Sequence, residues 1–98
     1  MKRPSSATRE AAEMLAIQAL AFIAEEPQRL NAFLTVTGLT LERLRESASA
    51  PGFLAGVLDH MLSDESLLMA FADQAAIDPA DIARARSTLG GRWERDVP

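Results

Sequence analysis

The stretch PGFLAGVLDHMLSDESLLMAFADQAA, from Pro51 to Ala76, decides the fold. Phe53, Leu54, Val57, Leu58, Met61 and Leu62 recur at helical spacing, and after the polar break Ser63-Asp64-Glu65-Ser66 the pattern restarts at Leu67, Leu68, Phe71, Ala72 and Ala75. Each segment therefore carries one apolar stripe. A break this short permits only a tight helix–helix turn, so the two stripes close on one another or on a shared third helix.

Towards the C-terminus, Ile77-Asp78-Pro79 repeats the stop-and-cap logic, with Asp78 as cap and Pro79 as first helical residue. Ile82, Ala85, Arg86 and Leu89 share the inner face of the next helix, and Gly90-Gly91 is expected to end it. Residues 92–98 then form a polar tail with Trp93 as its anchor. Towards the N-terminus, Thr40 caps a short helix from Leu41 to about Ala48, with Leu41, Leu44 and Ala48 inward. Before it, Pro27 to Val36 places Leu30, Phe33, Leu34 and Thr37 inward, with Gly38 as a left-handed stop and a carboxylate of Glu25-Glu26 as the cap.

The segment from Ala7 to Ala24 is apolar on nearly every side, relieved only by Glu10, Glu13 and Gln18, and so must be covered all round. Two arrangements achieve this. Either the other helices surround it and bury Leu15, Ile17, Leu20, Phe22 and Ile23, or two copies pair along the line Ala12, Leu15, Ala19, Phe22, where small alanines allow close approach. The monomer is expected over the homodimer, because the other helices present solvated outer faces. Residues 1–5 form a basic arm.

Sliding the chain by 38 residues superposes Leu20 on Leu58, Leu30 on Leu68, Ala32 on Ala70 and Phe33 on Phe71, with caps Glu26 on Asp64 and Thr40 on Asp78. Four identities in a Leu- and Ala-rich chain are near what chance allows, so duplication stays open. The expected architecture is all-α: a single compact domain, residues 1–98, of about six short helices, arranged as two pseudo-repeated three-helix units around a central N-terminal helix.

Composition narrows the function. Fourteen acidic against ten basic residues give a net charge of −4, the wrong sign for a chain that wraps nucleic acid phosphates. Between Arg45 and Arg84 no Lys or Arg occurs, while Glu46, Asp59, Asp64, Glu65, Asp73, Asp78 and Asp81 form an acidic block. The chain has no cysteine, which fits a reducing compartment, and cytoplasm is the expected location. Lys2 and Arg3 precede an alanine-rich segment, but Glu10, Glu13 and Gln18 interrupt it too often for an export signal or a membrane span.

The segments Phe33-Leu34, Thr37-Gly38-Leu39, Phe53-Leu54, Val57-Leu58-Asp59-His60 and Asp64-Glu65 running into Leu67-Leu68-Met69-Ala70-Phe71 give the chain a resemblance. It resembles a family of small alphaproteobacterial proteins of unknown function. The resemblance implies a bacterial cytoplasmic protein and transfers neither an activity nor a catalytic residue.

Chemistry is therefore weighed residue by residue. His60 with Asp64 four positions on offers two metal ligands on one face, but a site needs a third and no HExxH or Cys accompanies them. A boundary histidine against the core is the simpler reading. Glu25/Glu26 and Asp64/Glu65 sit at helix starts, where carboxylates serve as caps and complement the macrodipole. No phosphate loop or nucleophile elbow occurs, so neither catalysis nor a cofactor is expected. FLTVTGLTLERL, Phe33 to Leu44, has the outline of a helix-turn-helix, and Arg43, Arg45, Arg84 and Arg86, joined by Arg29, would have to converge to hold DNA. The favoured reading is a non-catalytic module for protein–protein interaction. Its contacts would come from the first helix (Leu15, Ala19, Phe22), from the acidic block suited to a basic partner (Asp59, His60, Asp64, Asp73), and from Trp93, which is otherwise a latch onto the bundle. Met14, Met61 and Met69 add adaptable surface where exposed.

Overall fold

The computed structural model describes residues 6–48 and 51–95. Among them the elements are α1 (Ser6–Ala24), α2 (Pro27–Thr37), α3 (Leu41–Ser47), α4 (Pro51–Leu62), α5 (Glu65–Ala75) and α6 (Pro79–Arg95), with no strand. The chain is all-helical and forms one globule, with a Cα radius of gyration of 13.2 Å, close to the ~13 Å of a compact domain this long. Its N-terminal basic arm lies outside the described residues.

The helix ends follow local chemistry. The Thr40 hydroxyl accepts from the Arg43 amide at 3.2 Å, an Asp64 carboxylate oxygen from Leu67 at 3.1 Å, and one of Asp78 from Ala80 at 2.9 Å. Gly38 ends α2 in the left-handed conformation at φ 76°. Ala76 ends α5 in the same way at φ 58°, and the Ile77 amide donates to the Ala72 carbonyl at 2.9 Å, closing a Schellman turn without a glycine. Two signals act differently from expectation. Glu26 occupies the N-cap position of α2 but its side chain makes no cap bond; it pairs with Arg29 at 3.7 Å instead. Gly90-Gly91 does not stop α6, which runs on to Arg95. Glycine inside a helix costs only about 1 kcal/mol relative to alanine, so it ends a helix only where the chain actually turns left-handed.

The core lies where α1, α4 and α6 meet, with α2 packed on α1, and α5 on α4 and α6. Leu54, Val57, Leu58 and Met61 of α4 are buried against Ile82, Ala85 and Leu89 of α6 and against Ala16, Ala19 and Ile23 of α1. These are the α4 and α6 stripes that the spacing predicts. Ala12, Phe22, Phe33, Ala55, Phe71 and Ala72 complete the core, with Leu30, Leu34, Leu67 and Leu68 half-buried at its edge. α3 contributes no buried residue. Only Leu44 of its expected inner face packs on the core, and Leu41 is exposed.

The spacing of 38 residues recurs in the helix bounds. α2 and α5 cover Pro27–Thr37 and Glu65–Ala75, α1 and α4 end at Ala24 and Leu62, and α3 and α6 begin at Leu41 and Pro79, each pair 38 positions apart. The left-handed stops Gly38 and Ala76 obey the same shift.

Candidate functional site

α1 is central but incompletely covered. Ala12, Ala16, Ala19, Phe22 and Ile23 are buried and Leu15 and Leu20 half-buried, whereas Met14 is 61% and Ile17 49% exposed. Ala21 and Ala24 are exposed beside them, so Met14, Ile17, Ala21 and Ala24 form one apolar flank open to solvent. The expectation that the fold also buries Ile17 is thus corrected. The line Ala12, Leu15, Ala19, Phe22, a candidate seam between copies, faces inward: its alanines let α4 and α6 of the same chain approach closely.

Two shallow grooves run along the neighbouring side of α1. One, of about 290 Å³, lies between Thr8, Ala11 and Leu15 and the α6 residues Arg84, Ala85 and Thr88. Another, also about 290 Å³, lies between Gln18, Ala21 and Glu25 and the α5 residues Phe71 and Gln74. A Gln74 amide donates to the Glu25 carboxylate across it at 3.5 Å.

The ring contacts repeat with the halves exchanged. Phe22 of α1 packs on Phe71 of α5 with centroids 5.4 Å apart, and His60 of α4 packs edge-on against Phe33 of α2 at 5.2 Å. Residue 60 is 38 positions beyond 22, and 33 is 38 positions before 71, so each contact is the image of the other with the halves exchanged. His60 therefore stands where the first half has Phe22. Burial lowers its pKa below the ordinary histidine value of 6.5, and the nearby Asp64 carboxylate offsets part of that effect. This is the boundary histidine of the simpler reading. No group of three or more His, Cys, Asp and Glu gathers in metal-binding proximity among the described residues.

The acidic block is not one surface. Asp59 is clasped by Arg86 of α6, with Nε to Oδ1 at 2.5 Å and Nη2 to Oδ2 at 3.0 Å. Asp64 and Asp78 cap helices, Asp81 pairs with Arg84, and Asp73 is exposed on α5 beside Met69, Ile77 and Pro79. Of the expected partner contacts, Ala19 and Phe22 are buried, Leu15 and His60 half-buried, and Asp59, Asp64 and Asp73 exposed. The Trp93 side chain lies outside the described residues, although α6 includes its backbone. Of the methionines, Met61 is buried and Met14 and Met69 are exposed.

Of the five arginines of the DNA-binding alternative, four contact groups of this chain, while Arg45 is exposed on α3. Arg43 pairs with Glu46 at 3.8 Å, Arg84 with Asp81, and Arg86 is only 16% exposed. Arg29, placed by sequence only among candidate phosphate contacts, instead clamps the last turn of α1. Its guanidinium lies 3.9 Å from the Phe22 ring centroid and donates to the Phe22 carbonyl at 3.0 Å. The pairing of Arg86 with Asp59 likewise had no signal in the sequence beyond the inward position of Arg86. No helix among the described residues is long and apolar enough to cross a membrane. A family model described as "Protein of unknown function (DUF3572)" matches residues 9–92. No curated protein and no solved structure matches the chain.

Proposed function

We propose that this chain, which belongs to the DUF3572 family of proteins of unknown function, is a non-catalytic helical domain that binds a protein partner through the open flank of α1. The observation that carries this reading is the exposure of Met14 and Ile17 together on one helix face, in a protein that buries the opposite face of that helix. Single exposed apolar residues are ordinary on a surface; an aligned set on a central helix is the kind of patch that binding covers. Met14 supplies a flexible, polarisable contact that adapts to a partner's shape. The cysteine-free composition fits a reducing cytoplasm as the place where this happens. DNA binding is the weaker reading, because Arg43, Arg84 and Arg86 already have carboxylate partners.

The test is a photo-activated cross-linking residue at Ile17, with the same residue at Glu42 of α3 as control, in the native host. A discrete protein adduct at Ile17 that Met14→Lys removes is the expected result. An adduct pattern at Ile17 no different from that at Glu42 overturns the reading.

A further inference from the structure

The open flank of α1 has a counterpart elsewhere in the molecule that is partly covered. Thirty-eight positions beyond Met14, Ile17, Ala21 and Ala24 lie Gly52, Ala55, Asp59 and Leu62 of α4. α6 lies against α4 on that side: Arg86 clasps Asp59, and Ala55, one turn earlier, is 4% exposed. By the 38-residue correspondence, the helix owed to α1 is α3. It stops at Ser47, whose counterpart in α6 is Ala85, one residue before Arg86. α3 has seven residues against seventeen in α6, so about 15 Å of helix in the second half has no counterpart in the first.

We infer that this flank of α1 accepts a short basic amphipathic helix from a partner protein, seated where the rest of α3 would lie if it matched α6. The inference rests on the interaction reading above and adds the partner's chemistry. Shape comes from the way α6 lies against α4: a helix of about three turns presenting an aliphatic ridge to Met14, Ile17 and Ala21. Charge comes from α1 itself. Glu10 lies on the flank and Glu13 at its margin, while Arg9 lies off it. In the second half the covering helix meets the anion Asp59 with a cation, Arg86, and a partner helix bearing Lys or Arg beside its ridge repeats that complementarity. A second copy of α1 would set glutamates near glutamates, which disfavours self-pairing.

The experiment titrates the isotope-labelled full chain with two synthetic helical peptides of about three turns, alike in their leucine ridge, one flanked by lysines and the other by glutamates. The expected result is saturable amide shifts centred on Met14, Ile17 and Ala21 with the lysine peptide, at least about tenfold weaker binding of the glutamate peptide, and loss of binding in Ile17→Lys with an unchanged melting temperature. Absence of saturable shifts, equal affinity for the two peptides, or shifts centred on α2 or α5 overturns the inference. So do concentration-dependent shifts at the same residues without peptide, which assign the flank to a second copy. A specific Ile17 adduct in the host whose contact element is acidic or non-helical refutes the helix while leaving the interaction reading standing.

Discussion

In the first half of the molecule, α3 has seven residues and buries none of them; in the second half, α6 has seventeen and packs on both α1 and α4. The two helices begin alike, each behind a capping Thr or Asp, 38 positions apart. Beyond the cap they diverge. α6 carries Ile82, Ala85 and Leu89 on one stripe and buries all three, whereas α3 offers the core only Leu44 before the chain turns into α4. Local signals set where a helix starts; the length of its apolar stripe sets whether it becomes part of the core. The consequence is an asymmetric α1, sealed by α4 and α6 on one side and open at Met14 and Ile17 on the other.

The severest test of that asymmetry is a charge placed on each side of α1. Ala19→Glu sets a carboxylate at a site with no solvent exposure and no partner, and is expected to abolish the folded state; Ala21→Glu, on the open side, is expected to stay within about 0.5 kcal/mol of wild type. Circular dichroism melts read both. A folded Ala19→Glu would mean that the inner and outer faces of α1 have been exchanged.

A smaller effect probes where the halves agree. Phe33→Ala and Phe71→Ala each empty a buried slot in equivalent positions, and each is expected to cost about 3–5 kcal/mol in urea unfolding. Matching losses sharpen the 38-residue correspondence, and a loss below about 1 kcal/mol at either site breaks it.

The smallest effect concerns His60, the position where the second half departs from Phe22. Its folded pKa lies below the unfolded value of 6.5, so the unfolded chain binds more protons between the two values and stability falls as pH drops through 6.5, levelling off below the folded pKa. His60→Phe is expected to remove that decline, leaving only the carboxylate titration at lower pH. Unfolding midpoints measured from about pH 7.5 to 5.5 check it; wild-type stability that rises on acidification over this span would show that Asp64 outweighs burial.

Much of the fold was legible in the sequence because it is written in spacing and caps. The stripes of α4, α5 and α6, the stop at Gly38 and the caps at Thr40 and Asp78 all act locally, within a turn or two of the residues that encode them. The open flank was not legible. α1 is apolar nearly all round, so its pattern names no preferred face, and only the placement of α4 and α6 decides that Ala19 lies inside and Ile17 outside. Arg29 and Arg86 were opaque for the same reason, since their partners Phe22 and Asp59 lie on other helices. Gly90-Gly91 misled in the opposite sense: a residue that permits a stop does not impose one.

The pairing of α1 with α6 also bears on how the chain is made. α1 leaves the ribosome before α6, and the helix that seals its Ala12 flank does not start until Pro79. At typical synthesis rates of about 5–20 residues per second, the gap between Ala24 and Pro79 leaves an apolar helix unsealed for on the order of 3–10 s. α4 and α6, much closer in sequence, close a shorter loop and meet without α1. Nascent α1 thus waits longer than α4 for the helix that seals it, and is the more exposed of the two to chaperones before its own chain can cover it.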